Sequence, residues 1–110
     1  MTHARATLRW LPATEGGRRQ PLAVRRYMAP VAFGSEQPEW TLVVDRQADV
    51  PQTEENVLVH FLMDGAPHER LAVGAPFRLF EGPRAVAEGE VVEVYDLNPA
   101  AWSGSAEATA

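Results

Sequence analysis

The chain has 110 residues, a formal net charge of −5, 45% hydrophobic residues and no cysteine. That describes one domain with a single modest core. It excludes a disulfide framework, a thiol nucleophile and any cysteine-ligated zinc or iron–sulfur centre.

In chain order, Ala4 to Leu11 alternates, with Ala6, Leu8 and Trp10 on one face and Arg5, Thr7 and Arg9 on the other. This is the period of a half-buried strand, and Pro12 ends it. Residues 13–21 read as a polar turn around Gly16-Gly17. Leu22 to Phe33 is mixed and broken by Pro30, which predicts an edge or bulged strand. Gly34 to Pro38 reads as a loop. Trp40 to Asp45 is β-branched and aromatic, and Arg46 to Asn56 reads as a long polar loop around Pro51. Val57 to Met63 is the cleanest strand. Both its faces are largely apolar, which predicts a central, covered position.

Asp64-Gly65-Ala66-Pro67 is a turn signal, and one helical turn is expected around His68 to Leu71. Phe77 to Phe80 and Ala85 to Tyr95 form a hairpin through Glu81-Gly82-Pro83-Arg84. In its second strand Glu88 and Glu90 share parity with Val92 and Val94. One buried face cannot satisfy both pairs, so a bulge is expected near Gly89. Residues 1–95 are expected to form a single domain, and 96–110, small and polar apart from Trp102, a disordered tail. About six short strands without alternating helices predict an all-β fold, a small antiparallel barrel or sandwich. No apolar run reaches the ~20 residues of a membrane helix. The opening Met1-Thr2-His3-Ala4-Arg5 lacks an apolar signal-peptide core, so a cytoplasmic protein is expected.

Charge is uneven. Residues 1–34 hold six arginines and one acid; residues 35–110 hold four arginines and fourteen acids. The halves either intermix and cancel, or the basic half meets an anionic partner. Arg18, Arg19, Arg25, Arg26 and Arg84 form the candidate phosphate-binding set, since phosphate contact needs only cations at backbone spacing. The simpler account is solvated arginines paired with the many acids. His3, His60 and His68 match no metal-ligand spacing, and His60 reads as an ordinary hydrogen-bonded strand histidine. Glu88 and Glu90 lie two apart on one strand face, which suits a solubilising edge better than an acid–base pair. The serines lack a nucleophile elbow and a placed histidine. Trp10, Trp40, Phe61, Phe77 and Phe80 read as core or interface, with Trp40 the one ring suited to a base-stacking test.

Two glycine turns carry a resemblance. Glu15-Gly16-Gly17-Arg18 follows the first strand, with Pro21, Tyr27 and Pro30 downstream. Glu81-Gly82-Pro83-Arg84-Ala85-Val86 lies near the end, followed by Gly89 and Val91-Val92. Over roughly residues 4–95 this order resembles the C-terminal β-barrel domain, domain III, of elongation factor Tu. The resemblance implies a six-stranded antiparallel barrel. It also implies that Arg18, Gly82 and Arg84 sit near an edge that, in the family, faces the T-stem of aminoacyl-tRNA. Arg19, Arg25 and Arg26 extend that set only by proximity. Pro83 departs from the family's second glycine and removes a backbone donor. No G-x-x-x-x-G-K-[ST] loop exists and lysine is absent, which excludes GTP hydrolysis by that loop.

The leading expectation is a stand-alone, non-catalytic binding module without cofactor, metal or GTP. Apolar residues on both faces of Val57–Met63 and Phe77–Phe80 point to a protein partner or a second copy. The second reading is contact with tRNA or the ribosome through the arginines. An enzyme is the third, and would need a deep pocket around Glu88 or His60.

Overall fold

The computed structural model describes residues 2–18, 23–34 and 36–96. The chain forms six strands: β1 (Thr2–Trp10), β2 (Arg26–Ala32), β3 (Trp40–Arg46), β4 (Glu54–Phe61), β5 (Pro76–Glu81) and β6 (Arg84–Asp96). Two three-residue 3₁₀ turns, Ala13–Glu15 and His68–Arg70, punctuate the connections.

All pairings are antiparallel, and the order β1-β4-β3-β2-β5-β6 closes on itself as β6 pairs with β1. The expected six-stranded barrel is therefore the fold. A cylinder this narrow is filled by its own side chains. Ala4, Ala6 and Leu8 of β1 point inward, as do Leu42 and Val44 of β3, Val57, Val59 and Phe61 of β4, and Phe77 and Leu79 of β5.

Closure needs curvature, and two register shifts supply it. Between Arg5 and Ala6 the β6 partner steps from Glu93 to Val91, leaving Val92 as the extra residue. Between Leu79 and Phe80 it steps from Ala87 to Ala85, leaving Val86. The bulge expected near Gly89 thus sits at Val92, with a second at Val86. Gly89 itself stays in register on the inner face, and its missing side chain is filled by Phe77. A Cβ there would lie 2.3 Å from the Phe77 ring.

Two further expectations change. The long loop from Arg46 to Asn56 shrinks to residues 47–53, because β3 keeps Arg46 and β4 begins at Glu54. The strand expected over Val57–Met63 ends at Phe61, and its outer face is open: Leu58 is 45% exposed. Pro30 lies where β2 pairs with β3; pairing to β5 is limited to Val31 and Ala32. The expected helical turn is the 3₁₀ turn His68–Arg70. Residues 97–110, Arg19 and Pro21 lie outside the described residues.

Candidate functional site: an arginine-lined rim and an apolar flank

The barrel has two ends. One carries the β1–β2, β3–β4 and β5–β6 connections; the other carries the β2–β3 and β4–β5 loops and both ends of the described chain. At the first end the two glycine turns meet. Gly16 and Gly17 fold the chain back on Leu11 and Pro12, with the Gly17 amide donating to the Pro12 carbonyl at 2.9 Å. A Cβ on Gly17 would lie 1.7 Å from the Leu11 carbonyl oxygen, so no other residue fits. This tight return aims Arg18 at the opposite turn, where its Nη1 donates to Glu81 Oε2. Tyr27, from the start of β2, donates its hydroxyl to the same oxygen. Burial, then the bond to Glu81, pushes the Tyr27 phenol well above its usual range, so it stays a donor.

A second carboxylate lies beside the first. Glu55 Oε2 accepts from Trp10 Nε1 at 2.6 Å and from Arg46 Nε at 2.7 Å. Arg46 also donates to the carbonyls of Val24 and Val50, each at 2.6 Å. Its side chain is fully enclosed. Trp10 and Tyr27 join the two knots edge to face, with centroids 5.3 Å apart. Arg46 and Arg18 lie over their respective rings at 5.9 Å. The result is a polar plug in which each charge meets its opposite. Sequence reading missed Arg46 and Glu55, because a buried ion pair at a barrel end leaves no hydrophobic period.

The candidate arginines gather at this end. Arg18 faces Glu81. Arg25 is exposed and donates to the Gln47 carbonyl at 2.9 Å. Arg26 makes a two-pronged contact with Asp45 at 2.7 and 3.2 Å. Gly82 and Arg84 are exposed on the β5–β6 turn. Arg19 lies outside the described residues. Arginine and acid alternate along this rim, with Glu15, Glu54, Glu81 and Glu88 among the guanidinium groups. A groove of about 560 Å³ beside it is lined by Arg9, Trp10, Pro12, Arg18 and Pro51. Glu88 pairs with Arg9 at 2.5 Å, and with Glu54, Glu55 and Glu90 it lines a shallow trough of about 400 Å³ over β1.

At the other end Arg70 clamps Glu36, lies 5.3 Å from the Phe33 ring centroid, and closes a slot of about 340 Å³ that Trp40 and Phe61 also line. Trp40 is half-buried there and packs against the core. His68 Nε2 donates to the Asp64 carbonyl at 2.7 Å, and its ring meets Phe61 edge-on. No group of three or more histidine, aspartate or glutamate side chains among the described residues is arranged to hold a metal ion. No helix among them is long and apolar enough to cross a membrane.

The outer surface of β2, β3, β4 and β1 is the second candidate. Two rows cross it in register. One runs Arg26–Asp45–Leu58–Arg5–Glu93. The next runs Met28–Val43–His60, continues to His3 and ends at Tyr95. The His3 and His60 rings lie 4.5 Å apart, and the Nδ1 atoms of both are buried without a hydrogen-bond partner among the described residues. The ordinary hydrogen bond expected for His60 is replaced, at Nδ1, by this ring contact. Val43 points outward, apart from the core cluster, yet is only 2% exposed. Met28, its partner on β2, is 54% exposed, and Leu62, bonded to the Thr41 carbonyl of β3, is 50% exposed. The sequence pattern placed apolar residues on both faces of β4, which signalled this flank. It gave no signal that His3 would reach His60.

No protein-family model matches the chain, and no curated protein matches it in sequence.

Proposed function

We propose that the chain is a non-catalytic β-barrel module whose work is to bind another protein surface through the flank of β2, β3, β4 and β1. The observation that carries this reading is the exposed apolar side chains of this face: Met28 beside the enclosed Val43, Leu58 one row away, and Leu62 just after β4. A small barrel needs no second core outside its wall, and exposed apolar clusters on soluble domains mark contact surfaces. The plug at the rim supports the same reading from the other side. Its carboxylates and guanidinium groups satisfy one another, which suits a rigid scaffold better than a reactive site.

RNA contact, tRNA or ribosome in the reading that stems from elongation factor Tu domain III, is the second reading. It draws on the convergence of Arg18, Arg25, Arg26, Gly82 and Arg84 at one end. The acids interleaved among them, and the net charge of −5, weaken the field such a surface needs.

A photo-activated cross-linking residue in place of Leu58 separates the two in cells. A protein adduct of defined mass that vanishes when Met28→Asp is added is the expected result. Absence of any protein adduct, together with RNA binding that weakens steeply with salt and is lost in Arg18→Ala/Arg84→Ala, overturns the proposal.

A further inference from the structure

The flank carries more than apolar area, because its border row is antisymmetric in charge about its centre. Across the strands the row reads Arg26 on β2, Asp45 on β3, Leu58 on β4, Arg5 on β1 and Glu93 on β6. In signs this is plus, minus, neutral, plus, minus. Reversing left and right about Leu58 places each positive residue opposite a negative one. A two-fold axis lying along β4 performs that reversal between two copies of the chain. It sets Leu58 on Leu58 and His60 on His60 of a second copy, with Asp45 opposite the second copy's Arg5, twice. Since the barrel wall curves away, Arg26 and Glu93 stand at the margin, and β3, β4 and β1 supply the contact.

We infer that the partner of this flank is a second copy of the same chain, packed about a two-fold axis along β4 and held apart from other partners by the Asp45–Arg5 cross-pairing. The inference rests on the flank being a protein-binding surface and adds which surface it meets. Symmetric pairs of this kind are isologous: one patch must complement itself. A random acidic surface fails that test through like-charge repulsion, whereas this row passes it. The charges at the border set register and exclude wrong partners, and the apolar centre supplies the affinity. Asp45 and Arg5 keep their partners Arg26 and Glu93 within the chain, so association extends two ion pairs into two networks without leaving a charge unpaired.

The axis passes beside the tilted pair of His3 and His60 rings, so four imidazoles gather at the centre of the pair. Asp45 of β3 and Arg26 of β2 act on His60, and Tyr95 of β6 pairs with His3. Neutral His60 rings pack on each other there, and protonated ones repel across the axis. Association therefore weakens as His60 takes up a proton.

The test is sedimentation of the full chain between about 5 and about 500 μM, the range over which a contact of micromolar strength fills. At pH 8 the mass is expected to double across that range, and at pH 5.5 to stay at one copy. Leu58→Asp stays a monomer with the melting curve of the parent. Asp45→Arg and Arg5→Asp are each monomers alone but pair when mixed, since the mixed pair regains two opposite-charge contacts. A parent chain that is monomeric throughout, a dimer that ignores Leu58→Asp, or two single variants that fail to pair on mixing overturns the inference. A monomeric parent whose position-58 cross-linker still captures a different protein in cells sinks the two-fold inference alone. A monomeric parent with no adduct sinks the protein-binding reading as well.

Discussion

Two glycines show how narrowly single residues are specified. At Gly17 the atom in the way of a side chain is the backbone carbonyl of Leu11; at Gly89 it is the ring of Phe77. A ring can tilt and a packed backbone cannot. Gly89→Ala is expected to cost about 1–3 kcal/mol, as for other overpacked cores, and Gly17→Ala more, by chemical denaturation. Of the ion pairs among the described residues, Arg46–Glu55 is the most enclosed, with the arginine side chain wholly covered. Glu55→Ala removes the carboxylate that faces the enclosed guanidinium and takes the acceptor from Trp10 Nε1, a loss of about 3–5 kcal/mol. Arg46→Met with Glu55→Leu removes both charges together and recovers most of that loss, again read by denaturation.

His60 gives the residue scale its pH dependence. Burial first, then the neighbouring His3 and Arg26, hold its imidazole below the usual range, against the opposing pull of Asp45. A folded-state value below the unfolded one means that the unfolded chain takes up the proton first. Stability from the neutral ring is thus complete above about pH 6.5 and declines as the pH falls below it. Melting temperatures at low protein concentration, where only one copy is present, should fall more steeply from pH 7.5 to 5 for the parent than for His60→Gln. A parallel fall in both contradicts this assignment.

At the scale of the element, β6 shows what pattern reading reaches. The clash in parity between Glu88 and Glu90 on one side and Val92 and Val94 on the other is visible in the sequence, and a bulge is its only remedy. Which residue is extra depends on the register of β1, and the strand's own pattern does not carry that information. The distinction is testable by deletion. Removing Val92 joins two segments that already pair correctly with β1, so Arg5 keeps Glu93 and Ala6 keeps Val91. Removing Gly89 instead closes the same bulge but carries Glu90 onto the inward position opposite Leu8 and Phe77. The Val92 deletion should stay folded with a melting point lowered by several degrees, about 1 kcal/mol; the Gly89 deletion should lose its cooperative transition. The start of β4 was hidden for a related reason. Glu54 and Glu55 look like loop because charged residues rarely begin a buried strand, yet Glu55 is satisfied inside by Arg46 and Trp10. Strand alternation, by contrast, was legible in β1 and β3, where inward small and branched residues keep strict period two.

For the whole molecule, closure converts six marginal strands into one body without open sheet edges. It also decides which distant residues become neighbours. The turns around Gly16 and Gly82 meet because β1 and β5 both border β6, and Arg18 and Glu81 then hold them together. His3 reaches His60 because β1 pairs with β4. A one-dimensional pattern gives the strands and their faces; it does not give those adjacencies, and the flank is made of them. On the proposed reading this flank, not the arginine rim, is where the molecule makes contact, and its partner is a second copy.

Amide spectra recorded over a dilution series decide between the two surfaces. Concentration-dependent shifts confined to the flank, at Arg5, Val43, Leu58 and His60, with Gly16, Gly82 and Arg84 unmoved, are expected. Spectra that do not change on dilution, with shifts centred on Gly82 and Arg84 when RNA is added, would move the contact to the rim and overturn the proposal.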